Sequence, residues 1–159
     1  MQDQRQWFCG QVEQHKTALY RLARSILHND EDAKDAVGEA VCKAFASLSS
    51  LRRRDSFKPW LMRITANEAY DILARRRRVV SLEDWGTEPS VQSSSEDSLW
   101  PLVQTLPNTL RAPVALFYYD DLTTAQIAAV LGIQEGAVRT RLTRGRQMLK
   151  ELLEKEDAI

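Results

Sequence analysis

Between Gly136 and Lys150 the chain carries five basic side chains and no acidic one. Arg139, Arg141, Arg144 and Arg146 each bring a permanently charged guanidinium fork, the donor geometry that fits phosphate oxygens and guanine edges. Thr140, Thr143 and Gln147 fall among them and add further hydrogen-bonding groups. The chemistry open to such a set is recognition of a polyanion. Alone, a basic run is as a rule a solvated face, so its meaning depends on what holds it.

The run is held on a patterned helix. Val138, Leu142, Gly145, Leu149 and Leu152 recur at helical spacing and form an inward stripe, which turns Arg139, Thr140, Thr143 and Gln147 outward and sets Arg144 and Arg146 at the edges of that outer face. Ahead of it, Thr123 and Gln126 stand three apart, a capping box that starts a shorter helix. Ile127 and Leu131 share one face, Ala128 leaves room for a crossing helix, and Gly132 stands where a helix stops in a left-handed residue. A second helix is predicted from near Glu135. Helix, tight turn with glycine, helix is the helix-turn-helix pattern, and its second member enters the major groove of DNA.

The chain has 159 residues and zero formal net charge, which taken alone argues against a nucleic-acid protein. The distribution argues otherwise. Arg52–Arg78 holds nine basic and three acidic residues, Val79–Ser98 holds five acids and no base, and Glu151–Ile159 nets −3. Alternating charged blocks of this kind are the footprint of a nucleic-acid binder. No apolar run approaches the ~20 residues of a membrane span, and the N-terminus lacks an export signal layout. Cys9 and Cys42 are two reduced thiols without CxxC spacing, and His15 and His28 stand apart, so no metal site is expected.

From the N-terminus, Phe8, Val12, His15, Leu19, Leu22 and Ile26 predict a long amphipathic helix with His15 at the core edge. Asn29 or Asp30 caps the next helix, whose buried face is Ala33, Ala36, Val37, Ala40, Val41, Ala44, Phe45 and Leu48. Its outer side is expected to carry Asp32, Asp35 and Glu39. Their mutual repulsion is partly offset by the helix N-terminus. Ser49–Lys58 reads as a basic loop, and Pro59 falls in the first turn of a third helix with Trp60, Leu61, Ile64 and Ile72 as apolar contacts. Asn67 and Asp71 lie one turn apart, and the helix ends in Arg75–Arg78. Residues 79–98 read as a flexible acidic linker. Trp100–Leu106 is apolar again. Pro107 then opens a helix lined by Leu110, Val114 and Phe117, bent at Pro113 and placed to support the helix-turn-helix.

Four stretches in order resemble the bacterial RNA polymerase sigma factors of the extracytoplasmic-function (ECF) group of the sigma-70 family. They are DEDAKDAVGEAVCKAF (30–45), FKPWLMRITANEAYDILARRRR (57–78), LPNTLRAPVALFYYDDLTTAQIAAVLG (106–132) and GAVRTRLTRGRQML (136–149). The resemblance implies an all-α protein of two small helical domains, 1–78 and 99–159, joined by the linker 79–98. It implies that the first domain binds the clamp of the largest subunit of core polymerase through Asp32, Asp35 and Glu39. The same domain would melt and read the −10 element through Arg53, Arg54, Ser56, Phe57, Lys58, Asn67, Arg75, Arg76, Arg77 and Arg78, with the loop 49–58 forming the pocket for an extruded base. The second domain would read the −35 element as duplex through Arg139, Thr140, Arg141, Thr143 and Arg144. An anti-sigma partner, a monomeric free state, a cytoplasmic location and the absence of cofactor and enzymatic activity are implied with it.

Some positions depart from the family pattern. Gly38 replaces a usual glutamine in mid-helix, where glycine costs ~1 kcal/mol relative to alanine. Gln134 replaces a usual serine cap, and Ala137 a common threonine. Two other classes of protein share some of these features. A dimeric helix-turn-helix regulator needs a self-association surface or a ligand or receiver domain that the sequence does not offer. A recombinase using Tyr118, Tyr119 or a serine needs the arginine and histidine cluster of phosphoryl transfer, which those tyrosines lack.

Overall fold

The computed structural model describes residues 2–79 and 99–158, and the linker assignment, but for Val79, lies outside the described residues. Among the described residues there are seven α-helices and no strand. The first unit consists of α1 (Gln2–Leu27), α2 (Asp30–Ala46) and α3 (Phe57–Val79). The second consists of α4 (Leu99–Gln104), α5 (Asn108–Asp120), α6 (Thr124–Leu131) and α7 (Glu135–Ala158).

α1 stops at His28, which adopts φ 65° and donates its N–H to the Arg24 carbonyl at 3.0 Å. The next residue, Asn29, caps α2 by accepting from the Asp32 N–H at 2.8 Å. Two-residue spacing between the helices therefore comes from a left-handed stop followed at once by a side-chain cap. Ala33, Ala36, Ala40 and Ala44 are fully buried, and these small side chains let α2 lie close against α1 and α3. Leu19, Leu22, Leu61, Met62, Ala66 and Ala69 fill the space between the three helices. Thr65, buried in mid-helix, returns its hydroxyl to the Leu61 carbonyl at 2.9 Å, so the polar group costs little there.

Phe57 anchors an aromatic cluster with Trp7, Phe8 and Trp60, at ring separations of 5.1 to 5.7 Å. Edge-on aromatic pairs of this kind contribute ~0.5–1.5 kcal/mol each beyond their area. His15 joins the rim of the cluster, as its place on the helical stripe predicts. The cluster fixes the entry to α3 and with it the basic segment before it, which the structure folds into two single 3-10 turns, Leu48–Ser50 and Arg54–Ser56, where a loop was expected.

α5 supports the helix-turn-helix as expected, but it is buried on more than one side. Leu110, Arg111, Ala112, Pro113, Val114, Ala115, Leu116 and Asp120 are all inaccessible, because α7 covers one face and α1 the other. α6 in turn packs on α3. The two units thus share an interface, and it is polar as well as apolar. Arg111 donates to the Ser25 carbonyl at 2.7 Å across it, and to the Leu106 carbonyl and Asn108 Oδ1 within its own unit. Asp120 receives Arg21 at 3.3 Å and faces Lys58 at 3.8 Å. Arg63 of α3 caps the end of α6 by donating to the Ala129 carbonyl at 3.0 Å.

Candidate nucleic-acid interface

The helix-turn-helix assembles as its sequence dictates. The Thr123 hydroxyl accepts from the Gln126 N–H at 3.1 Å, and the Gln126 side chain accepts from the Thr123 N–H at 2.9 Å. Gly132 ends α6 at φ 72°, a conformation that a side chain would strain. Glu135 opens α7 and takes the Thr124 hydroxyl at 2.6 Å, tying the two helix starts together. Val138, Leu142, Gly145 and Leu149 are buried and Leu152 is half-buried, so the inward stripe is the predicted one. At Gly145 a β-carbon would collide with the Val114 side chain, which is why a glycine sits in that helix: it brings α7 hard against α5.

Arg139, Thr140, Thr143, Arg144 and Gln147 are exposed together on the outer face. Thr140 and Thr143 return their hydroxyls to the carbonyls of Gly136 and Arg139, at 3.1 and 2.9 Å. Arg139 lies 3.4 Å from Glu135, an exposed pair worth little in water and easily exchanged for a phosphate. Arg141 differs from the others. It is half-buried in a cleft of about 360 Å³ between the units, lined also by Tyr70, Leu73, Arg77 and Thr109.

In the first unit Arg53, Arg54, Ser56, Asn67, Arg75, Arg76 and Arg77 are exposed, while nothing is described of the Arg78 side chain. Arg53 pairs with Asp55, and Arg54 stacks on the Trp7 ring at 4.4 Å. Two expected DNA contacts are placed otherwise. Phe57 is 1% exposed and offers DNA no surface in this structure, because the aromatic cluster needs it as its centre. Lys58 is half-buried and turned to Asp120 of the other unit.

The acidic stripe also needs correction. Asp35 and Glu39 face outward, but Asp32 is buried and held by Arg76, whose Nε and Nη2 donate to its two oxygens at 2.8 and 2.6 Å. One arginine of the terminal run is therefore committed to an intramolecular pair. The three acids line a groove with Lys43, Glu68, Asp71, Arg75 and Arg76, and Lys43 bonds Glu68 within it. Sequence reasoning passed over Arg21, Arg63, Arg111 and Asp120, the polar residues of the interface. Burial pushes the Asp120 carboxyl up, opposed by Arg21 and Lys58. Burial and the neighbouring Arg24 bring Arg111 down to about 10, so it remains charged at neutral pH. Among the described residues no group of His, Cys, Asp and Glu is suited to a metal ion, and no helix is long and apolar enough to cross a membrane.

A capped helix-turn-helix with an exposed basic face, packed against a three-helix unit with its own basic end, has the make-up of a two-part DNA-binding protein. Residues 11–79 match Sigma-70 region 2, and residues 97–149 match Sigma-70, region 4. The chain is 30% identical to RNA polymerase sigma factor SigV of Bacillus subtilis over 92% of its own length and 90% of that protein's. It is 33% identical to ECF RNA polymerase sigma factor SigE of Mycolicibacterium smegmatis, covering 92% of this chain and 62% of that one. Among solved structures it resembles the sigma factor RpoE of Bartonella quintana, crystallised in complex with the anti-sigma factor NepR. There the TM-score is 0.74 at 25% identity, over 92% of this chain and 96% of the other. The chain belongs to the sigma-70 family of RNA polymerase sigma factors, in its ECF group. A dimeric operator-binding regulator is not favoured by these matches.

Proposed function

We propose that this sigma factor divides its work among three surfaces. Asp35 and Glu39 on α2 meet the clamp of core polymerase. Arg53, Arg54, Ser56, Asn67, Arg75 and Arg77 meet the −10 element as it opens. Arg139, Thr140, Thr143 and Arg144 read the −35 duplex, with bidentate arginine–guanine pairing as the source of discrimination. Of these, the −35 assignment is supported most directly: the outer face of α7 is exposed while its back is locked onto α5.

In this reading the packed arrangement of the units is the resting form. Lys58 on Asp120, and Arg141 in the cleft beside Tyr70, are promoter-facing residues engaged by the opposite unit. Polymerase and promoter select a form in which both are released. The protein works in the cytoplasm as a monomer, catalyses no reaction of its own, and is held in check by an anti-sigma factor, as the RpoE relative is paired with one. Run-off transcription with core polymerase tests the reading. Added chain should produce a defined transcript from a cognate promoter, and no transcript above that of core alone, across a library of promoter sequences, would refute it.

A further inference from the structure

Arg146 lies at the edge of the α7 outer face and is held there by aromatic side chains of α5. Its Nε donates to the Tyr118 hydroxyl of α5 at 2.9 Å. Its guanidinium lies 5.0 Å from the centre of the Phe117 ring and 6.0 Å from that of Tyr118. It has no carboxylate partner among the described residues, whereas Arg139 on the same stripe has Glu135. Both Arg146 and Tyr118 are exposed, Tyr118 to 43%, so the pair faces water and is not a core contact. The register comes from the neighbouring close approach. Gly145 lets α7 touch Val114, and Tyr118 follows Val114 by one turn, which brings it beside Arg146.

We infer that Tyr118 and Arg146 form a preorganised phosphate clamp flanking the base-reading residues, with Tyr118 as its positioning residue. The inference rests on the −35 reading of α7. With Nε occupied by Tyr118, the two terminal nitrogens remain free to make paired bonds to one phosphate, the geometry that favours arginine there. Seven residues separate Arg146 from Arg139, about 10.5 Å along the helix axis. That is close to the ~12 Å width of the major groove, so with Arg139 among the base edges Arg146 reaches the sugar–phosphate wall. A guanidinium already fixed on two rings loses less freedom on binding than a free side chain.

The test is binding of reconstituted holoenzyme to promoter DNA with an intact or a scrambled −35 element, across a range of salt concentrations. Arg146→Ala should weaken both duplexes by the same factor and flatten the salt slope by about 0.9. Tyr118→Phe, which keeps the ring and the charge, should weaken both about two- to tenfold, the range of one hydrogen bond, with the slope unchanged. The double variant should be no weaker than Arg146→Ala alone, since the tyrosine acts through the arginine. A loss confined to the intact −35 element, an unchanged slope for Arg146→Ala, or additive losses in the double variant would overturn the clamp. Arg139→Ala serves as the control. If it too leaves −35 discrimination untouched, the failure lies with the assignment of α7 to the −35 element, and the clamp falls with it. Unchanged thermal midpoints of the variants exclude unfolding as the cause.

Discussion

Arg76, near the end of α3, grips Asp32, in the first turn of α2, through two parallel hydrogen bonds. The carboxylate is buried and the arginine is largely exposed, so the two partners are not equivalent. Removing the arginine leaves a buried charge without its partner, whereas the carboxylate has little to gain from water. Arg76→Ala should therefore destabilise the protein by ~1–3 kcal/mol, while Arg75→Ala and Arg77→Ala stay within about ±0.5 kcal/mol. Urea unfolding midpoints of the three variants check the ranking.

The same pair separates stability from polymerase binding. Asp35→Lys with Glu39→Lys alters two exposed side chains and should weaken co-purification with core while leaving the unfolding midpoint near that of the parent. Wild-type recovery of core by this double variant would remove the clamp assignment. Asp32 is unsuitable for such a test, because its replacement also breaks the link to Arg76.

Alanine at Arg139, Thr140 and Arg144 should each reduce discrimination between cognate and mismatched −35 sequences, by ~1–3 kcal/mol for an arginine that pairs a guanine. Competition binding of the holoenzyme on single-base −35 variants measures this. Equal losses on every sequence at all three positions would remove direct readout by α7.

His28 gives a pH dependence of stability. Partial burial, followed by the charges of Arg111 and Arg24, lowers its pKa from 6.5 to about 4 in the folded chain. As pH falls through 6.5 the unfolded chain takes up a proton that the folded chain refuses, so this contribution to stability declines until about pH 4 and then levels off. His28→Gly should shrink that decline and, because φ is 65° there, should not strain the α1–α2 turn. Urea midpoints at pH 7 and pH 5 for the two proteins give the comparison.

Gly145→Ala tests the contact that seats α7. The added methyl must displace Val114 in a packed core, a cost of ~1–3 kcal/mol, and it should also lower −35 binding through the lost register of Tyr118 and Arg146. Thermal unfolding and promoter binding read the two effects separately.

Local signals in the sequence translated directly into structure. The Thr123–Gln126 box, the Gly132 stop and the inward stripe of α7 each depend on residues within a few positions of one another and form as read, and of the two caps that the sequence allows for α2, Asn29 and Asp30, it is Asn29 that caps. Partners chosen at long range did not announce themselves. Nothing around Asp32 indicates that a residue 44 positions later neutralises it, so its spacing alone places it with the outward acids of its helix. The resemblance places Phe57 with the basic residues around it, although its ring contacts are Trp7 and Phe8 of α1 and Trp60 of its own helix. The periodicity of α5 shows one apolar face, and the α1-facing side carries Arg111 and Asp120, charged residues that look solvated until their partners are in place.

That double coverage of α5 ties the affinity of the whole molecule to an internal equilibrium. If only the separated form can bind polymerase productively, the measured dissociation constant exceeds the intrinsic one by the reciprocal of the fraction separated. Each ~1.4 kcal/mol held in the contacts of Arg111, Arg21 and Asp120 then raises the concentration needed for occupancy about tenfold. Substitutions at these residues, far from both polymerase and promoter, would thus set the threshold abundance at which the factor begins to act.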